Sequence, residues 1–388
     1  MRALVEVDTT DLGAFLEALG AALDGVGPAI VPRASTGLAK PSPEPLPTHV
    51  PDNVAVVIET SGSTGAGQRV ALSADALRTS AKLTHDRLGG EGVWLLSLPV
   101  HYIAGLQVAV RAREAGHPPV PISLGHFSAE RFVAELARHF RDDGMPASRC
   151  YASLVPQQLA QLVAFAEAHP DAQATLQRVT SFLIGGQSLA ASLRQRAHAL
   201  GLALVHTYGS TETAGGCVYD GLPLDGIHID LDNSGEIAVS GPTLALGYLD
   251  AERTATRFVT RAGKRWYLTG DVGVREESTG RLQITGRLDR TIISGGVKIN
   301  LDAVGDSLRE LMREPGVLVA VDDDLWGQRP VLVLEGNADA ATEDRALRLI
   351  RERWGAVAVP ERIVWVDSFP LTSSGKPDLQ ELARIVVD

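Results

Sequence analysis

Three glycines and four hydroxyl side chains fall within Glu59-Thr60-Ser61-Gly62-Ser63-Thr64-Gly65-Ala66-Gly67-Gln68-Arg69. Glycines let a backbone turn tightly and present successive N–H groups. The hydroxyls of Thr60, Ser61, Ser63 and Thr64 add donors, so the stretch can wrap phosphate oxygens with no bulky side chain in the way. Alone, it could equally be an ordinary surface connection. It lacks the lysine of GxxxxGK[ST], which disfavours a Walker-type nucleoside triphosphatase. Further on, Tyr208-Gly209-Ser210-Thr211-Glu212 combines three capabilities. The ring can stack on a base, a hydroxyl can hold a phosphate oxygen, and the carboxylate can offer Mg2+ the hard oxygen it prefers. One lysine, Lys376, stands in Pro370-Leu371-Thr372-Ser373-Ser374-Gly375-Lys376-Pro377. By itself, an exposed loop lysine is usually a solvated charge.

The elements that must position these groups follow from periodicity. Val54–Ile58 is an apolar run that reads as a buried strand leading into the first loop. Ser73 is a good N-cap for a helix over 74–88. Strands at 93–98, 120–123, 150–154, 179–184 and 202–206 then alternate with helices at 104–115, 128–140, 156–169 and 189–200. This rhythm predicts a mainly parallel sheet with helices on both faces. Ligands of such sheets sit beyond the carboxyl ends of the strands, where loops 60–68, 185–187 and 208–212 would converge. Thr10-Asp11 could cap a first helix, while the seven prolines between Pro28 and Pro51 predict an extended connector without regular structure. After about Gly215, short strands at 226–230, 236–240, 265–267 and 282–284 suggest an antiparallel, barrel-like part. Helices at 301–312 and 341–354 with strands at 317–321, 331–334 and 362–366 form a compact α+β unit. The expected fold is therefore α/β, with a large N-terminal domain (1–289) of stacked, mainly parallel sheets and a small β-barrel-like part, joined by a hinge to a small C-terminal α+β domain (290–388).

Composition narrows the function. With 388 residues, 45% hydrophobic and 21% charged, the chain can bury a large core. A net charge of −11 argues against a nucleic-acid-binding face. Two cysteines, Cys150 and Cys217, fit a reducing compartment rather than a disulfide framework. Acidic Glu6 comes too early for a secretory leader, and no apolar run approaches the roughly 18 residues of a membrane span. The expected location is the cytoplasm.

Five stretches in order, from about Val54 to Pro377, resemble the adenylate-forming acyl-CoA synthetase superfamily. The first is the 59–69 loop, similar to the family's nucleotide-phosphate loop through Thr60, Ser61, Gly62, Ser63, Thr64 and Gly65. It departs where the family shows Pro-Lys-Gly: the lysine is absent, and Arg69 is the candidate replacement cation. The second, Gly185-Gly186-Gln187, resembles a segment bordering adenine. The third is Tyr208-Gly209-Ser210-Thr211-Glu212, with Glu212 as the implied Mg2+ ligand. The fourth joins Tyr267-Leu268-Thr269-Gly270-Asp271 to Gly286-Arg287-Leu288-Asp289; it implies Asp271 on the ribose, Arg287 as a further contact and Asp289 as the hinge. The fifth supplies Lys376 as the adenylation lysine. The resemblance implies an acid–thiol ligase using ATP, Mg2+ and CoA, with Gly295 and Gly296 lining a pantetheine channel.

The segment Leu98-Pro99-Val100-His101-Tyr102-Ile103-Ala104-Gly105-Leu106-Gln107, the short N-terminal region and the total length resemble the o-succinylbenzoate–CoA ligases of menaquinone biosynthesis in their actinobacterial form. An aromatic dicarboxylic acid would need donors to its distal carboxylate, for which His101, Tyr102, Ser210 and Thr213 are candidates. The partners expected are small molecules, with no nucleic acid and no stable membrane insertion; a homodimer is left open. Two other readings stand beside the ligase: an aryl- or acyl-adenylating enzyme that loads a carrier protein, and a nucleotide-binding homologue without ligase activity.

Overall fold

The computed structural model describes residues 1–34, 45–60, 67–123, 125–142, 149–312, 316–323, 325–371 and 377–387. Contacts divide the chain into two compact units, Met1–Ile229 with Ala238–Leu268, and Asp230–Ile237 with Thr269–Asp388. That division passes through the strand Lys264–Arg275, upstream of Asp289.

In the first unit, one sheet is built from β1 (Arg2–Asp8), β2 (Ala29–Arg33), β3 (His49–Val50), β4 (Val56–Thr60) and β5 (Gln68–Leu72), with α1 (Leu12–Leu23) and α2 (Ala74–Leu88) following β1 and β5. Its order is Gly247–Tyr248, β5, β4, β2, β1, β3. β4 is inaccessible from Val56 to Ile58, as a central strand with apolar residues on both faces must be. β4 and β5 run antiparallel from Val56↔Leu72 to Thr60↔Gln68, so the loop rich in hydroxyls closes a hairpin instead of leading straight into a helix. Asp11 caps α1 by accepting from the Ala14 N–H at 3.0 Å, and Ser73 caps α2 from the Ala76 N–H at 3.1 Å. The connector expected between Gly25 and Pro51 is partly wrong: β2 lies within it, parallel to β1, with Pro32 opposite Val7. Pro32 is tolerated because the ladder from β2 to β4 is confined to Ile30↔Val56, leaving no bond there for a proline N–H to make. The burial of Ala29, Ile30 and Val31 outweighs the local punctuation.

The second sheet follows the predicted alternation: β6 (Gly92–Leu96), α3 (Ile103–Glu114), β7 (Val120–Pro121), α4 (Ala129–Asp142), β8 (Arg149–Leu154), α5 (Pro156–Ala168), α6 (Pro170–Leu176), β9 (Ser181–Ile184), α7 (Ala191–Ala199), β10 (Leu204–Ser210) and β11 (Gly215–Tyr219). β7, β6, β8, β9 and β10 are parallel neighbours; β11 adds antiparallel to β10. Phe132, Leu136, Leu159, Leu162 and Val163 from α4 and α5 pack on Leu95, Ala152, Phe182 and Ile184 of the sheet. Each such side chain contributes about 1.5–3 kcal/mol. Cys150 on β8 and Cys217 on β11 are both inaccessible, and burial pushes each thiol up to about 12.

In the second unit, Gly316–Asp323 and Gly327–Glu335 form an antiparallel pair, with Ile363–Val366 parallel to the latter. Side chains alternate between faces. Leu318, Leu332 and Leu334 face the helices Leu301–Leu311 and Ala340–Trp354, while Val317, Val319, Val331 and Val333 face Leu382 and Val386 of the helix Leu379–Val387. Among the described residues, no helix is long and apolar enough to cross a membrane.

Candidate active site

β10 carries Tyr208, Gly209 and Ser210 at its carboxyl end, then Thr211–Thr213 make a single 3-10 turn. A register shift between Tyr208 and Gly209 lets β10 bend there. Gly209 is obligatory, since a Cβ would collide with the Gly215 carbonyl oxygen. The turn closes on Thr213, whose Oγ1 accepts from the Ser210 N–H at 2.9 Å and donates to Gly215 O at 2.7 Å. Thr213 is 1% exposed, so its hydroxyl builds the turn and does not serve as the acid-pocket donor expected of it. Thr211 and Glu212 are nearly buried. The Tyr248 hydroxyl donates to Glu212 Oε1 at 2.8 Å, and the Ala245 N–H donates to the Glu212 carbonyl at 2.8 Å. Burial, with the Glu212 carboxylate beside it, pushes the Tyr248 phenol up to about 12, so it remains a donor. Tyr248 sits opposite Val70 of β5, which ties the Glu212 turn to the loop-bearing hairpin. Ser210 Oγ is buried without a hydrogen-bond partner among the described residues.

Gly185-Gly186-Gln187 leaves β9 one strand away from this turn. A Cβ on Gly185 would collide with Thr207 Oγ1, and Gly186 has φ +82°, so both glycines are required for the loop to lie against β10. His206, unmarked in the sequence, meets the Gln187 backbone; burial, then Arg194, lowers its pKa.

Ser61, Gly62, Ser63, Thr64 and Gly65 lie outside the described residues. Thr60 ends β4, with its Oγ1 3.4 Å from Gln68 O. Arg69 Nε donates to Glu59 Oε1 at 2.8 Å and Nη1 to Pro45 O at 3.0 Å. Arg33 also grips Glu59 through both terminal nitrogens. Burial pushes the Glu59 carboxyl up, but hydrogen bonds from Arg33 and Arg69 outweigh it and hold it below its ordinary 4.5. Strand register sets Arg69, the candidate replacement for the loop lysine, opposite Glu59, where it braces the hairpin.

At the head of α3, the His101 and Tyr102 rings lie 4.2 Å apart at 50°. Burial keeps His101 below its ordinary 6.5, favouring a neutral ring that can hydrogen-bond a ligand.

In the second unit, Asp271 and Arg287 face each other across paired strands, with Arg287 Nη1 3.2 Å from Asp271 Oδ1. Arg287 also grips Asp289 through Nε and Nη2 at 2.9 and 3.1 Å. Gly295 and Gly296, at φ +53° and +81°, form the two-residue turn between Thr291–Ser294 and Val297–Asn300. A Cβ on Gly295 would lie 2.6 Å from the Trp326 ring. Lys376 lies outside the described residues.

For Mg2+, the fit is a single carboxylate: Glu212 is held at one oxygen by Tyr248, and this ion commonly takes one or two carboxylates plus substrate phosphates.

The sequence profile of the AMP-binding enzyme family matches residues 14–249, and that of its C-terminal domain matches residues 317–376. A probable 2-succinylbenzoate–CoA ligase of Mycobacterium tuberculosis is 36% identical over 389 residues, covering 99% of this chain and 98% of that protein. A 2-succinylbenzoate–CoA ligase of Geobacillus kaustophilus is 29% identical, covering 95% and 77%. Among solved structures, the o-succinylbenzoate CoA synthetase of Bacillus subtilis, in complex with its acyl-adenylate intermediate, has TM-score 0.75 at 21% identity, covering 98% of this chain and 78% of that one. The amide bond synthetase McbA of Marinactinospora thermotolerans has TM-score 0.74 at 24% identity, covering 99% and 80%. These structures share the mixed α/β fold, and the profile match over most of the first unit, with the near-full-length relative, establishes that the chain belongs to the AMP-binding enzyme family.

Proposed function

We propose that this chain is an AMP-forming acid–CoA ligase acting on 2-succinylbenzoate in menaquinone biosynthesis. The observation that carries the chemistry is the Glu212 carboxylate held by Tyr248 at the end of β10. The end-to-end likeness to the M. tuberculosis ligase supports the substrate. In the first step the acid's carboxylate attacks the α-phosphorus of ATP, giving acyl-AMP and pyrophosphate. In the second, the thiol of CoA attacks the acyl carbonyl and AMP leaves.

Two anions must meet in the first step, so positioning and charge stabilisation do most of the work. Thr60 and the loop 61–65 hold the β- and γ-phosphates through backbone N–H groups and hydroxyls. Thr211 holds an α-phosphate oxygen, Tyr208 stacks on adenine, and Gly185–Gln187 border it with Gly209 and Ser210. Glu212 would hold Mg2+, which supplies charge neutralisation at the phosphates. Asp271 takes the ribose hydroxyls with Arg287 beside it, and Lys376 neutralises the charge that develops as carboxylate and phosphorus approach. Asp289 is the pivot of the rearrangement between steps, separating 1–289 from 290–388, and Gly295-Gly296 give a backbone that pantetheine can approach closely. His101 and Tyr102 are the acid-end donors.

A homodimer and a cytoplasmic location belong to the same proposal, tested by sedimentation and cell fractionation. The decisive experiment is ATP–pyrophosphate exchange with 2-succinylbenzoate, benzoate, medium-chain fatty acids and amino acids, followed by thioester formation with CoA. Exchange confined to 2-succinylbenzoate supports the reading. Exchange with an amino acid alone, or none with any acid, sinks it.

A further inference from the structure

α3 joins two parts of the site that the chain order keeps apart. It opens beside His101 and Tyr102, and one turn later Gln107 is fully buried. Gln107 Nε2 donates to Ala214 O at 2.7 Å and to Leu77 O at 3.3 Å. Ala214 directly follows Thr211-Glu212-Thr213 and has φ +51°, a left-handed conformation that costs a non-glycine residue energy and needs outside support. Gly215 is at φ +100°, and a Cβ there would lie 3.1 Å from Gln107 Cγ, so the amide stem fills the space beside the turn. Gln107 Oε1 is buried with no hydrogen-bond partner among the described residues. The fold therefore uses the donor half of this amide and tolerates a stranded acceptor to keep it, which points to a task beyond packing.

Four residues on, on the same helical face, Arg111 is also buried. Its Nη2 is 3.3 Å from the Tyr219 hydroxyl, which shares a 2.9 Å hydrogen bond with Thr84 Oγ1. α3 thus grips β11 at both ends, at Ala214 where the strand begins and at Tyr219 where it finishes.

Resting on the ligase reading above, we propose that Gln107 is a positioning residue: it holds the left-handed turn at Ala214, and through it the Thr211 hydroxyl and Glu212 carboxylate, in register with an acid bound at the head of α3. Adenylation uses Thr211 and Glu212, whereas thioester formation from a finished acyl-adenylate does not depend on them in the same way. The role therefore has a signature that general loosening of the fold lacks.

The test is Gln107→Met, which keeps the length and bulk of the side chain and removes the donor. Its readouts are acid-dependent pyrophosphate exchange, thioester formation from supplied acyl-adenylate, and deuterium uptake over 208–216. Expected is an exchange kcat lower by about tenfold or more, the size of a lost buried hydrogen bond. KM values for ATP and acid should stay within about threefold, thioester formation should be unchanged, and uptake should rise over 208–216 but not in β6 or β8. Gly215→Ala presses on the same contact from the other side and should reproduce the split; it decides the matter if the Met variant does not accumulate. Wild-type kcat and protection in the Met variant, or both half-reactions falling together, would overturn the proposal. If the wild-type protein exchanges pyrophosphate with no acid, the ligase reading falls instead, and deuterium uptake alone decides whether Gln107 holds the turn.

Discussion

Glu212 illustrates how one carboxylate becomes a site. It is 8% exposed, and one of its oxygens is taken by the Tyr248 hydroxyl. A hydrogen bond to a charged group is worth about 1.5–3 kcal/mol, so Tyr248→Phe should lower kcat of pyrophosphate exchange by about tenfold or more. An unchanged kcat would mean that the phenol is only packing. Lys376 is the complementary case. Its replacement by Ala should abolish acyl-AMP formation, because losing one preorganised donor typically costs about 10²–10³ in rate. Thioester formation from supplied acyl-AMP should persist, and loss of both half-reactions together would contradict the role. Tyr-Gly-x-Thr-Glu was legible in the sequence because three of five adjacent residues, Tyr208, Thr211 and Glu212, each carry a chemical reason. Tyr248, 36 positions from its partner, was not: a Gly-Tyr pair carries no mark of what its hydroxyl will meet. The Arg69–Glu59 pair was hidden for the same reason, since it is set by antiparallel register across a hairpin and not by adjacency.

At the scale of elements, hydrophobic periodicity and cap residues located α2, α3, α5, β8 and β9 to within a few residues, although α2 and α3 also bury polar side chains such as Thr84, Gln107 and Arg111. It missed β2, where prolines disguise residues that are inaccessible, and it ended β10 at His206, whereas the strand runs to Ser210. That extension matters, because it sets Gly209 against Gly215 and Gly216 of β11 with no room for a side chain. Gly209→Ala should force β10 from β11, destabilising the fold by about 1–3 kcal/mol. The check is a chemical-denaturation curve, and an unchanged midpoint would show that the strand pair can yield. The hairpin that frames the phosphate-type loop was likewise invisible, since Val70–Leu72 reads the same whether it follows β4 in parallel or antiparallel fashion.

At the scale of the whole molecule, two consequences can be measured. Glu59 has its carboxyl held below 4.5 by Arg33 and Arg69. A depressed carboxylate adds stability above its ordinary value, and that stability is lost as pH falls through the lowered one. Melting temperature should therefore drop on acidification below about pH 4.5, and Glu59→Gln should be less stable near neutrality with a shallower acid limb. Parallel curves would remove the ion pair from the account. The pivot proposed at Asp289 predicts that Asp289→Pro preserves pyrophosphate exchange and slows CoA thioester formation, the mirror image of Lys376→Ala. Equal slowing of both steps would deny it a part in the rearrangement. The two sulfhydryls carry a practical corollary. Cys150 and Cys217 are sealed in the interior, and their thiolates are suppressed by burial. In the native state the protein should ignore alkylating agents and colorimetric disulfide reagents. The only reactive sulfur in an assay mixture is then the one belonging to coenzyme A, and its disappearance can be read by colour in aliquots drawn as the reaction runs, against a silent background.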